Sequence, residues 1–365
     1  MSRNLEHRSH EQFIGRIGSA VVAPRRRRSI RHTVDDAPIR LSVIVPVYND
    51  QTALPQCLAA LTGSCPPGVE IIVVDDASTD DSAAVGSRLP VRLVRLTTNA
   101  GPAAARNHGA ERARGDVLLF VDSDMVLGPG AIERVARRFD EHPDVAAVFG
   151  SYDANPAARG VVSRYKNLLH HFVHQNGKSQ ASTFWAGCGA IRRRVFEEVG
   201  GFDEHRFRHA SIEDIELGYR LRRAGYRILL DRSLQGTHLK RWTLRSLLWT
   251  DVMRRAIPWS RLILETRMSV DDLNLRRCQR LSAALVGVAA ICLGLAPLRS
   301  ALAVLAACAL LTVIVLNRRL YGFFARRGGL AFAGSCLVLH WLSYLYSGCA
   351  FLWVWVRPGP KRGGA

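Results

Sequence analysis

The feature that most constrains this chain is a change of solvent along its length: residues 281 to 297, 301 to 317 and 331 to 356 are nearly free of charge, whereas almost every Asp and Glu lies before residue 273. A bilayer crossing needs about 20 apolar residues, so the last stretch is long enough alone and the first two are borderline. Only Leu298, Arg299 and Ser300 separate those two. A tight helical hairpin, two short tilted spans and a partly inserted pair all suit that pattern. Buried in a soluble fold, the same segments would each need complete protein cover. The sequence thus predicts a charged body over 39 to 235, an amphipathic interface segment over 236 to 280, transmembrane helices within 281 to 356 and a basic tail over 357 to 365.

Charge gives this arrangement a direction. The chain has 50 Lys and Arg against 31 Asp and Glu, a net +19. Arg276, Arg277 and Arg280 precede the first apolar stretch, and Arg318, Arg319, Arg326 and Arg327 lie between the second and third. Such flanks stay on the cytoplasmic side, so a multi-pass protein of the cytoplasmic membrane is expected, its body facing the cytoplasm. Trp242 to Arg267 alternates bulky apolar residues with Arg245, Arg254, Arg255, Arg261 and Arg267, and Trp249 and Trp259 add aromatic anchors. That suits a segment lying on the membrane surface, in contact with its lipids, or an ordinary helix packed on the body. Residues 1 to 38 are polar, basic and aperiodic, as in a flexible arm, with Arg25 to Arg28 solvated or against anionic headgroups. The first forty residues hold no apolar core of a cleaved signal peptide. Basic residues without interleaved aromatics or a recognition motif speak against a nucleic-acid partner. Eight scattered cysteines, without a CxxC pair, suit a reducing compartment.

Within the body, Leu41 to Val47, Val69 to Val74, Val91 to Leu96 and Val117 to Val121 read as strands. Helical segments lie around Leu54, Leu58 and Leu61 and over Ala103 to Arg114. The alternation predicts an α/β fold with a mostly parallel sheet flanked by helices, and in such sheets ligands bind beyond the carboxyl ends of the strands. Those ends carry Tyr48, Asn49 and Asp50, then Asp75 and Asp76, then Asp122, Ser123 and Asp124. One Asp after a strand is an ordinary turn former. Five carboxylates on three converging ends repel one another unless a cation or hydrogen-bond donors fill the space. Asp122 and Asp124 are two residues apart, on one side of an extended chain, and such oxygen ligands suit Mg²⁺ or Mn²⁺ with a diphosphate completing the shell.

The runs SVIVPVYND, EIIVVDDASTDDS and TTNAGPAAARNHGAERARGDVLLFVDSD resemble the nucleotide-binding half of family 2 glycosyltransferases of the GT-A fold. AGCGAIRRRVFEEVGGFDE and IEDIELGYRLRRAGYRI are similar to the family's acceptor-side segments, so the resemblance covers residues 41 to about 230. It implies a nucleotide-sugar donor, a divalent metal and a glycan or lipid-linked acceptor. By position it implies that Pro46 and Tyr48 line the base pocket, that Asp76, with Asp75, accepts from base or ribose, and that Asn99, Gly101 and Arg106 lie beside the nucleotide. Asp122 and Asp124 match the family's DxD metal motif. His238 sits where some such enzymes place a third metal ligand, and is otherwise an interfacial histidine. Glu213 and Asp214 resemble the ED pair, with Asp214 expected as general base of an inverting displacement and Glu216 as the other candidate. Processive members carry QxxRW; here His238 to Trp242 read HLKRW without the Gln, so a single transfer is expected. Two other classes stay in view: a nucleotide-sugar-binding membrane protein without catalysis, against which the intact carboxylates speak, and a transporter, for which one interior ionisable residue, His340, is too few.

Overall fold

The computed structural model describes residues 40–268 and 270–357. The arm expected over 1 to 38, with Arg25 to Arg28, and the tail past residue 357 lie outside the described residues. Four runs rich in Val, Ile and Leu form β1 (Leu41–Val47), β2 (Glu70–Asp75), β3 (Arg92–Arg95) and β4 (Val117–Val121). Helices α1 (Leu54–Gly63), α2 (Ser82–Ser87) and α3 (Pro102–Arg112) return the chain between them. Both faces of this sheet are covered, which is why β1 and β4 are buried at every position. Side chains alternate between the two cores: Ile44 packs on one side with Phe120 and Leu217, and Val43, Val45 and Val47 on the other with Leu58 and Phe139.

The second half adds β5 (Met125–Leu127), α4 (Ala131–Glu141), β6 (Val145–Tyr152), α5 (Val161–Gln175), β7 (Cys188–Arg192), α6 (Arg193–Glu198), α7 (Glu213–Arg223) and β8 (Arg227–His238). The strand order is β3-β2-β1-β4-β7-β6-β8-β5. The sheet is parallel from β3 to β4, as the alternating pattern predicts, and mixed beyond, because β7 runs antiparallel between β4 and β6. Two antiparallel registers position the site. Val121 lies opposite Cys188, which sets Gly187 and Ala186 beside the carboxyl end of β4, and Met125 lies opposite His238.

Beyond β8, Thr243 and Ser246 form a reciprocal cap that starts α8 (Leu244–Trp249). A π-helical turn over Thr250–Ala256 leads into α9 (Ile257–Thr266). Then come the apolar helices α10 (Arg277–Leu295), α11 (Ala301–Leu316) and α12 (Arg318–Val356). Of these, α10 and α12 are long and apolar enough to cross a membrane. The last bends sharply at Gly329, whose φ of 80° a side chain would resist. After the bend, Phe332 lies under the Arg164 guanidinium at 4.1 Å, the Tyr346 hydroxyl donates to Asp251 at 2.7 Å, and Trp353 faces Arg261 at 5.8 Å.

Candidate active site

The loops after β1 and β2 are tied together by short polar side chains. Asn49 Oδ1 accepts from the Thr79 amide at 2.8 Å, and the Asp50 amide donates to Ser82 Oγ at 2.9 Å. Asn49 and Ala77 hold left-handed backbone conformations, a local strain that suits a site built on strand ends. Pro46 is buried in β1 opposite Val74, whereas Tyr48 stands 50% exposed at the mouth.

The two aspartates after β2 have separate partners. Asp75 accepts from the Ser78 amide at 3.1 Å and from Arg95 Nε at 3.3 Å. Asp76 accepts from the amides of Ala100 and Gly101, each at 2.8 Å, so it fixes the loop that holds Asn99. Gly101 cannot be replaced there without strain: its φ is 91°, and a Cβ would lie 2.2 Å from the Arg208 carbonyl oxygen.

Arg106, on α3 and only 5% exposed, joins the two halves of the site. Its guanidinium donates to Asp122 Oδ1 at 2.7 Å and to Glu213 Oε1 at 2.9 Å, while resting against the Phe202 ring. Burial disfavours its charge, but Asp122, Glu213 and Asp214 outweigh that and hold it protonated. The cation that five converging carboxylates require is thus partly built into the protein. Arg106 was expected beside the nucleotide; its guanidinium is engaged with these two carboxylates.

At the end of β4, Asp124 Oδ2 lies 3.3 Å from His238 Nε2, and His238 Nδ1 donates to Asn167 Oδ1 at 2.8 Å. Burial raises the pKa of Asp124, but the hydrogen bond and charge of His238, with Lys240, bring it below the usual carboxylate range. His238 thus turns Nε2 toward the carboxylate while Nδ1 is held by Asn167. Ser123 Oγ donates to Asp50 Oδ2 at 2.6 Å, and burial raises the Asp50 pKa despite that bond. Among the described residues no three His, Cys, Asp or Glu side chains form a ready metal cage. Mg²⁺ and Mn²⁺ need only one or two protein carboxylates when phosphates supply the rest, and Asp122 and Asp124 fit that role.

The opposite wall comes from the start of α7. Gly218 brings this helix close to the chain before β7, since a Cβ there would meet the Phe184 amide at 2.3 Å. Asp214 accepts from the Ala186 amide at 3.1 Å and from the Ile215 amide at 2.8 Å. Burial, and then the charge of Glu213, push its carboxyl up to about 7. Glu216 points away from this wall and is gripped by Arg220 through Nε at 2.8 Å and Nη2 at 2.8 Å. Of the three acidic side chains, Asp214 alone makes no ion pair, since Glu213 is held by Arg106.

Several residues near this cleft escaped the sequence reading. Tyr152 stacks on His238 at 4.3 Å and packs against His170 at 4.1 Å and Trp185 at 5.1 Å. They come from β6, α5 and the approach to β7, and only the repeat of His170 and His174 at helical spacing hinted at a buried histidine face.

A sheet of this order, with paired carboxylates at the end of β4 and an acidic helix start opposite, defines the class of GT-A glycosyltransferases. Residues 42–200 match the model of glycosyl transferase family 2. It is 30% identical over 171 residues to an uncharacterised glycosyltransferase of Bacillus subtilis, covering 45% of this chain and 62% of that one. It is 31% identical over 177 residues to an undecaprenyl-phosphate 4-deoxy-4-formamido-L-arabinose transferase of Salmonella paratyphi A, covering 45% and 53%. The chain therefore spans little more than half the length of these relatives. In fold it is similar to a mannosyltransferase of Pyrobaculum calidifontis solved with GDP-Man and Mn²⁺, with a TM-score of 0.55 and 18% identity, covering 87% of this chain and 88% of that one.

Proposed function

We propose that this chain transfers a single sugar from a nucleotide-sugar donor to a lipid-linked or glycan acceptor, by a metal-dependent inverting displacement at the cytoplasmic face of the membrane. The observation that carries this reading is the Arg106 bridge, which joins Asp122 on the strand-end wall to Glu213 beside Asp214 on the other. An inverting transfer needs two such walls, one for the leaving diphosphate and one for a base that deprotonates the attacking hydroxyl.

Tyr48 offers a ring to the nucleobase, and the loop fixed by Asp76 presents Asn99 to the ribose side. Asp122 and Asp124 would hold Mg²⁺ or Mn²⁺, with His238 beside them. When bound, that ion supplies positive charge to the departing diphosphate. Asp214 takes the proton from the acceptor hydroxyl, and a carboxyl with a pKa near 7 is suited to that task. The lipid-linked acceptor is supported by the undecaprenyl-phosphate named in the activity of the Salmonella relative and by the apolar helices that follow the domain. Arg276, Arg277, Arg280, Arg318 and Arg319 flank those helices at one end, which favours a multi-pass protein with its domain on the cytoplasmic side. The test is to offer the full chain, in detergent, a panel of nucleotide sugars with a lipid extract. One donor should release its nucleoside diphosphate only when extract is present; no release from any donor would overturn the reading.

A further inference from the structure

Between the domain and the apolar helices lies a cavity of about 950 Å³, apart from the carboxylate cleft. Its walls come from α5, the π-helical turn, α9, the start of α10, the α11–α12 junction and the middle of α12. Seven Lys and Arg side chains line it against one carboxylate, that of Asp251. Asp251 is already neutralised, by Lys166 at 2.6 Å, Arg255 at 3.1 Å and the Tyr346 hydroxyl at 2.7 Å. Among the described residues Arg267, Arg276, Arg318 and Arg319 have no carboxylate within salt-bridge distance, so the cavity keeps a surplus of positive charge. The rest of its lining is largely apolar, including Phe172, Trp259, Leu273 and Leu320.

A site with surplus guanidinium groups and apolar walls favours a ligand with an anionic head and a hydrocarbon body. Guanidinium groups bind phosphate oxygens in pairs, and basic pockets beside apolar helices hold phosphate headgroups. A volume near 950 Å³ takes a molecule of some tens of heavy atoms. We propose that this cavity binds a phosphate-headed lipid, its head held by Arg276 and Arg318 and its chain against the apolar wall. The site does not depend on sugar transfer, so it stands or falls separately from the function proposed above.

The test uses purified full-length chain in detergent with radiolabelled farnesyl phosphate. Binding should be at least tenfold tighter than that of farnesol, and millimolar inorganic phosphate should not displace the label. Arg276→Gln with Arg318→Gln should weaken binding at least tenfold. Ala283→Trp, which fills the cavity without touching its charge, should weaken it similarly; this second variant keeps the test decisive if the arginine pair fails to fold. Competition with phosphatidylglycerol identifies the source: displacement at equal concentration marks a bilayer phospholipid, and persistence of the label marks a lipid phosphomonoester. Equal binding of farnesol, or full binding by Ala283→Trp, would overturn the proposal.

Discussion

At the scale of single residues, Asp214 and Glu216 are set apart by their partners. Both lie in the first turn of α7, but the Arg220 fork closes on Glu216 and leaves Asp214 with only backbone donors. Asp214→Asn keeps the shape and removes the basicity, so turnover should fall about a hundredfold or more with donor affinity unchanged, whereas Glu216→Gln should act mainly on stability. The pH profile carries the same signature. In the proposed base role Asp214 acts only when ionised, so with its carboxyl near 7 the wild-type rate should climb as pH rises through about 7 and then level. That limb should vanish in Asp214→Asn. The strand-end and ED carboxylates were legible in the sequence because each follows a recognisable pattern. The role of Arg106 was not, since its partners stand 16 and 107 residues away and only the folded chain unites them. Arg106→Gln strands the buried Glu213 carboxylate, which should cost about 3–5 kcal/mol and show as a large drop in melting temperature.

At the scale of elements, strand pairing explains why a histidine 114 residues downstream of Asp124 sits next to it: the antiparallel register of β5 and β8 sets Met125 against His238. Nothing in a local pattern encodes that register. The membrane segments show the opposite case, where the elements were legible and their disposition was not. The part of α12 after Gly329 meets α5 at Phe332, the π-helical turn at Tyr346 and α9 at Trp353. From residue 332 to residue 353 a helix advances about 30 Å, the thickness of a bilayer core. A helix that keeps touching the domain over that distance runs beside the 242–267 segment. If that segment lies on the membrane surface, so does this part of α12, and α10 with α11 provides the crossing. Spin labels on Cys349 of α12 and Cys308 of α11, both exposed, distinguish the arrangements. With the other cysteines replaced, Cys349 should report headgroup depth and Cys308 hydrocarbon depth; equal deep burial would show α12 crossing instead.

At the scale of the whole molecule, a soluble type of α/β fold is joined to apolar helices through a basic seam. The fold class was legible because parallel strands buried on both faces read as unbroken apolar runs, whereas the mixed half of the sheet depends on pairings between distant strands. Attachment through apolar helices does not rely on ionic contacts, so carbonate and high salt should leave the full chain in the membrane pellet, and its appearance in the soluble fraction would contradict the attachment. In the proposed reaction the two acidic walls, with a divalent ion on one, move a sugar onto a lipid-linked or glycan acceptor. Membranes containing the chain, incubated with a radiolabelled nucleotide sugar, test it most directly. Label should enter the extracted lipid or glycan fraction with Mn²⁺ or Mg²⁺, and be lost in excess chelator and in Asp124→Ala. Undiminished incorporation under chelation, or in Asp124→Ala, would contradict it.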